Sequence, residues 1–333
     1  MRFKILLLWA ILFSAMGMVK AQNYLCFTAI TDNSSVGIRE KARDVPDMEY
    51  SLDEGASWTP ITSGAVDLPR ANDKVYFRGN NAAGIFNTVD VYTNFFVSGK
   101  VSASGSVMSL IDGEGTSTEI PYKACFYGLF KDCEGLVQAP ELPATTLTED
   151  CYKEMFSGSG LKEAPELPAT ELEEGCYEAM FANCADLTKA PVLPSRTMKQ
   201  RCYSNMFSNC TSLVQAPELP STTLAIDCYL AMFEQTAIVQ APSLPSTVLA
   251  ERCYSNMFYK CASLTVAPEL PATDLTYRCY CGMFSNCASL TQAPELPATR
   301  VRVESCYVMF ANCTSLVEAP ALPAMELDSA CYR

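Results

Sequence analysis

From residue 120 onward, apolar positions recur with a fixed period. An apolar residue followed by phenylalanine ends at Phe130, Phe156, Phe181, Phe207, Phe233, Phe258, Phe284 and Phe310, in steps of 25 or 26 residues. Eight copies at one period mark a solenoid, in which no unit buries its apolar side alone and stacked units do. Within a copy, Leu224, Cys228 and Met232 lie at i, i+4 and i+8, with Tyr229 and Phe233 beside them. That spacing predicts a short helix over 224–234. Thr146-x-x-Glu149 and Thr170-x-x-Glu173 have the form of capping boxes at two such helix starts. The stretch from Leu213 to Ala216 predicts a short parallel strand. The Pro-x-Leu-Pro that follows predicts an extended, polyproline-like segment, because proline offers no N–H to a ladder. The expected unit is therefore strand, extended segment, turn and helix, an α/β solenoid with Leu213, Ala216, Leu219, Leu224, Cys228, Met232 and Phe233 pointing inward.

Residues 22–119 lack the repeat. Tyr24–Phe27, Glu49–Leu52, Lys74–Phe77 and Asn94–Val97 alternate or cluster apolar residues between Gly, Asn, Asp and Ser. They predict a small antiparallel β domain that would also cap the first repeat. Asp112-Gly-Glu-Gly-Thr116 reads as the joint. Residues 1–21 read as a secretory signal peptide: Arg2 and Lys4, an apolar run from Ile5 to Met16, then Val19-Lys20-Ala21. The chain stops at Cys331-Tyr332-Arg333, the opening of a ninth copy, which suggests a fragment.

Composition narrows the chemistry. The 333 residues include no histidine, so no Ser-His-Asp or Cys-His arrangement and no His-ligated metal site can be built from this chain. The net charge is -13, and signal removal would take away Arg2, Lys4 and Lys20 and no acid, which argues against general nucleic-acid binding. The expectation is a non-enzymatic protein without cofactor or metal. Its expected place is extracellular or on a bacterial cell surface, with no membrane-spanning segment after signal cleavage.

Seventeen cysteines are mostly a repeat count. One column runs Cys125, Cys151, Cys176, Cys202, Cys228, Cys253, Cys279, then Cys306 and Cys331; the second runs Cys133, Cys184, Cys210, Cys261, Cys287 and Cys313. On the expected helix the two columns lie about 12 Å apart, beyond the reach of a disulfide. Buried thiols used as small core residues are the preferred reading, although an oxidising address keeps disulfides conceivable. Cys281, off both columns, reads as an exposed free thiol.

Three surface patterns are candidates for binding. The two positions after each Leu give Val137, Gln138, Val214, Gln215, Val239, Gln240, Thr265, Thr291, Gln292 and Val317, whichever column faces outward. Between Pro and Leu stands an acidic column, Glu141, Glu166, Glu218, Glu269 and Glu295, broken by Val192, Ser243 and Ala321. Ser51-x-Asp53-x-Gly55-x-Ser57-Trp58 resembles the Asp-box hairpin of sialidases and other β-propellers. In those proteins the hairpin supports the fold and is not catalytic.

The repeat itself resembles the BspA-like leucine-rich repeats of bacterial surface proteins. Met206-Phe207-Ser-Asn-Cys210-Thr-Ser-Leu213 carries that resemblance, with a longer unit and an added Ala-Pro-x-Leu-Pro. It covers about residues 120–333. The resemblance implies a leucine-rich-repeat type solenoid used for adhesion and for contact with protein or extracellular matrix, and no catalytic residues. Two other readings stand beside it: a spacer displaying a ligand-binding, even glycan-binding, N-terminal domain, and a carbohydrate-active enzyme resting on the Asp-box alone.

Overall fold

The structure is a computed structural model that describes residues 23–39, 47–61, 64–82, 85 and 93–332. The expected signal peptide lies outside the described residues. The non-repeat part holds β1 (Leu25–Ala29), β2 (Ser34–Arg39), β3 (Met48–Ser51), β4 (Thr59–Pro60), β5 (Gly64–Leu68), β6 (Lys74–Gly79), β7 (Asn94–Ser98) and β8 (Val101–Ser104). One four-residue helix, α1 (Ser109–Asp112), follows. The first repeat adds β9 (Leu136–Gln138), and three later copies add β10 (Asp274–Leu275), β11 (Arg300–Val301) and β12 (Glu326–Leu327). One sheet has the order β4-β3-β6-β1-β8-β9, and a second has β5-β2-β7. Phe27 and Phe77 of the first sheet meet Phe95 of the second at 5.2 and 5.1 Å between ring centroids.

That aromatic core does not end at the domain. Phe95 stacks on Phe130 of the first repeat at 5.4 Å, and β8 pairs in parallel with β9. The repeat region is therefore built on the edge of the larger sheet and shares its core. The exit at Asp112–Thr116 is no loose joint: the Asp112 carboxylate accepts the backbone N–H groups of Glu114, Gly115, Thr116 and Ser117 at 2.6 to 2.9 Å.

The repeats form a solenoid, but its units contain no helix among the described residues. The expected helix over 224–234 and the two capping boxes are corrected: 224–234 is a run of turns, and Thr146 sits in a parallel bridge with Glu119. The copy around Phe207 shows how the run is built. Cys202, Ser204, Met206, Ser208 and Cys210 each donate to the carbonyl three residues back, while Tyr203, Asn205, Phe207 and Asn209 donate to the next coil at 2.8 to 3.1 Å. Every fourth residue, here Arg201, Asn205 and Asn209, takes a left-handed backbone with φ of 54 to 62°. Such a chain repeats its side-chain directions every four residues. Cys202, Met206 and Cys210 therefore all point inward, and each is fully buried. A helix would carry i, i+4, i+8 around by about 40° per step and would spend every N–H within its own coil.

Stacking distance gives a second reason. Phe130 through Phe310 form one continuous ladder with centroids 5.3 to 5.8 Å apart, and Tyr152 through Tyr280 form another at 5.8 to 6.1 Å. Packed helices need about 8–10 Å between axes, so coils this close leave no room for them. Offset aromatic pairs contribute about 0.5–1.5 kcal/mol each beyond area burial. The eighth copy shows which ladder sets the register. Ser305 takes the cysteine place, its carbonyl accepting the Tyr280 N–H at 2.9 Å, while Phe310 stays on its ladder at 5.6 Å from Phe284.

Candidate binding faces

The turn run makes one face, and several of its charges pair across coils. Lys153 reaches Glu178 at 3.1 Å, Arg201 reaches Glu174 at 2.8 Å, and Arg252 reaches Asp227 at 2.6 Å, each across neighbouring coils. Arg278 pairs with Glu304 in the same way. Asn209 donates its amide to Asn183 at 3.0 Å, and Asn312 to Asn286 at 3.1 Å. These links pin coil to coil. Sequence reading missed them, although Arg201, Asp227, Arg252, Arg278 and Glu304 recur at one left-handed position of the repeat and Asn183, Asn209, Asn286 and Asn312 at another.

The second face carries the two columns after Leu and the Pro-rich segment. The expected four-residue strand shrinks: β9 is the one named strand here, and the other copies keep single parallel bridges such as Glu163 to Lys189, Gln215 to Gln240, and Gln240 to Val266. In-and-out alternation is lost with it. After a buried Leu213, both Val214 and Gln215 are exposed. Gln138, Val239, Gln240, Thr265, Thr291, Gln292 and Val317 are also exposed, and Val137 is half-buried. Both columns therefore face outward. The physical reason is the proline two residues further on, which ends the ladder before a second inward side chain is needed.

Glu141, Glu166, Glu218, Glu269 and Glu295 all project to the surface on this same face, and none makes an ion pair among the described residues. Shallow, open depressions run between the two sets. One is lined by Thr188, Lys189, Val192, Gln215 and Glu218, together with the prolines between them. Another is lined by Gln138, Glu141 and Glu166. The structure thus brings the predicted columns and the acidic column together along one strip.

A third face carries the residues before the turn run. Thr145, Thr170, Thr222, Thr247, Thr273 and Thr299 are exposed in register, and β10, β11 and β12 pair in parallel there. The repeat alignment contains this column as well.

The Asp53 hairpin is a structural element. Asp53 accepts the Ser57 N–H at 2.9 Å and the Ser57 hydroxyl at 2.6 Å, and the Ser51 hydroxyl donates to it at 2.7 Å. These hydroxyl and amide donors hold its carboxyl down at about 2. Gly55 has φ 88° with the Tyr24 and Trp58 rings over it, a place where a side chain would be both strained and crowded. Trp58 meets Tyr24 edge-on at 4.9 Å and carries the Arg78 guanidinium over its face at 4.2 Å.

All 17 cysteines are free thiols, fifteen buried and two half-buried. Cys281, expected to be exposed, is one of the half-buried pair, with Cys313. The thiols of the second column are more than apolar filler. Cys184, Cys210, Cys261, Cys287 and Cys313 each donate to the phenylalanine carbonyl of the preceding coil at 2.9 to 3.1 Å. In the two copies that are one residue shorter, around Phe156 and Phe233, Ser159 and Thr236 take the cysteine's place; Ser159 meets the Cys184 thiol, and the Thr236 hydroxyl donates to the Phe233 carbonyl of its own coil. Burial pushes the Cys151 and Cys202 thiols up to about 12 and Cys184 to about 11.

Among the described residues no group of three or more Cys, Asp or Glu is placed to hold a metal ion, and no helix is long and apolar enough to cross a membrane. No family model, no curated protein and no solved structure matches this chain.

Proposed function

We propose that this chain is a secreted or cell-surface adhesion protein that binds a protein or matrix ligand along the Pro-rich face of its solenoid. The observation that carries this reading is the division of labour between faces. On the turn face Lys153, Arg201 and Arg252 pair with acids of neighbouring coils, whereas on the Pro-rich face Glu141, Glu166, Glu218, Glu269 and Glu295 make no ion pair among the described residues and stand beside exposed Val214, Val239 and Val317. Val192 is 79% exposed and Val317 80%. Solenoids offer such repeated strips as extended binding surfaces. The leader pattern of residues 1–21 and the resemblance of Phe207-x-x-Cys210-x-x-Leu213 to BspA-like leucine-rich repeats support the same reading, although the coils lack helices.

The test uses the whole chain, because the β domain and first repeat share one core. Immobilised matrix proteins and a glycan array are screened for capture, then Val214→Lys/Gln215→Lys is compared with Thr222→Lys/Thr247→Lys on the third face. Loss of at least tenfold with the first pair only is the expected result. Capture lost instead on changing the hairpin at Trp58, or no capture at all, would sink the reading.

A further inference from the structure

The second cysteine column is not continuous. From the first copy to the eighth it reads Cys133, Ser159, Cys184, Cys210, Thr236, Cys261, Cys287 and Cys313. Cys133 therefore has no thiol beside it in the column, and the last three thiols can pair in two ways. Cys184 and Cys210 have only each other, with Ser159 before them and Thr236 after. Both are fully buried.

Coil stacking puts this pair within disulfide reach. Their coils are held in register by the Phe181 and Asn183 N–H groups, which donate to the Met206 and Ser208 carbonyls at 3.0 and 2.8 Å. Phe181 and Phe207, three residues before each thiol, stack at 5.7 Å between centroids. A disulfide spans Cα atoms about 4.4–6.8 Å apart, whereas packed helices would hold the pair at about 8–10 Å. The two interruptions show how side chains meet along the column. The Ser159 hydroxyl lies 3.4 Å from the Cys184 sulfur, and the Thr236 hydroxyl lies 3.3 Å from that of Cys261. Cys184 and Cys210 stand in the same relation, with sulfur on both sides. Their thiols donate to the Phe156 and Phe181 carbonyls. Those carbonyls also accept the N–H groups of Ser159 and Cys184 at 3.0 and 3.1 Å, so loss of both thiol protons strands neither.

We propose that Cys184 and Cys210 form an oxidative modification site, at which a small disulfide of the glutathione class links the pair and fastens the third coil to the fourth. One cysteine thiolate attacks the donor disulfide, which gives a mixed disulfide and releases one donor thiolate. The second cysteine thiolate then attacks the protein sulfur of that mixed disulfide and releases the other half of the donor. The pair gives up two electrons and two protons, and the donor leaves as two thiols. Burial holds both thiols protonated, so exchange takes place as the coils close during folding and not in the finished fold. The site is independent of what the Pro-rich face binds.

The test uses the full chain, reduced in urea and refolded by dilution into a buffer rich in glutathione disulfide. Remaining thiols are alkylated, and links are mapped by proteolysis and mass spectrometry. The Cys184–Cys210 link is expected in most refolded molecules, at a yield at least tenfold above that of chain kept in urea in the same buffer, where no coil contact directs pairing. The urea midpoint of the refolded protein should rise over that of the reduced protein, and the rise should vanish in Cys210→Ser. Ser159 shows that the column accepts serine, and circular dichroism checks that the variant folds. Both cysteines alkylated after refolding, linkage of Cys184 chiefly to a first-column cysteine, equal yield in urea, or a midpoint unmoved by oxidation would each overturn the proposal.

Discussion

The cysteine is the residue whose role changed most between sequence and structure. Two columns of thiols invite a disulfide framework, yet the fold gives each column a different task. First-column sulfurs fill the core beside the tyrosine ladder, and second-column thiols donate to phenylalanine carbonyls. Burial disfavours the thiolate, which is the reactive form, so Cys151 and Cys202 are held protonated up to about 12. The expected outcome with a maleimide at pH 8 is rapid labelling of no more than two thiols, Cys281 and Cys313, in the native protein. All 17 should react in denaturant without reductant. Fewer in denaturant would reveal disulfides; many more in the native protein would mean the coils open on that timescale. Where the second cysteine is missing, Ser159 and Thr236 take its position.

At the scale of the element, the question is why a pattern that reads as helix becomes a chain of turns. The inward set was largely legible: Leu213, Leu219, Cys228, Met232 and Phe233 are buried as expected, while Ala216 and Leu224 are half-buried against the same core. The conformation was misread because i, i+4, i+8 satisfies two periods, and a helix is the commoner one. The distinguishing signal lay on the outward residues. Asn183, Asn205, Asn209, Asn256, Asn286 and Asn312, with Gly128, Gly158, Gly175 and Gly282, occupy left-handed positions four apart, and these residue types tolerate that region. Val308 is the one β-branched residue in the series. Asn205→Val should therefore destabilise the chain by about 1–2 kcal/mol in urea melts, whereas Asn205→Gly should be nearly neutral. Equal effects from the two would mean that the turn conformation is wrong.

On the scale of the whole molecule, the phenylalanine ladder makes one core of two regions that look separate in sequence. Phe27, Phe77 and Phe95 of the β domain run through Phe130 into the repeats. The tyrosine ladder beside it is buried, and the Tyr152 and Tyr177 hydroxyls make no hydrogen bond. Burial raises the ladder tyrosines well above their usual range and the Cys151 thiol from 9.0 to about 12. A raised folded value means that the protonated form is favoured in the fold. Stability from the thiols is therefore complete below about pH 9, where the unfolded chain is also protonated, and declines as pH climbs toward 12. Alkaline titration should show tyrosinate absorbance rising together with loss of circular dichroism in one transition. Tyrosines titrating near pH 10 with the structure intact would contradict the buried ladder.

The sequence by itself determined the period, the copy number, the inward side chains and the priority of the phenylalanine register over the cysteine register. These follow from side-chain burial, which leaves a mark at every repeat. It also marked the four β segments beginning near Tyr24, Glu49, Lys74 and Asn94, and the Asp53 hairpin. Only the tertiary structure decided where the backbone N–H groups go. Tyr203, Asn205 and Phe207 send theirs to the next coil, and that choice excludes the helix and sets the close coil spacing. Hydrogen bonds between coils join groups about 25 residues apart through atoms that every residue shares. Side-chain periodicity carries no record of which partner such a group takes.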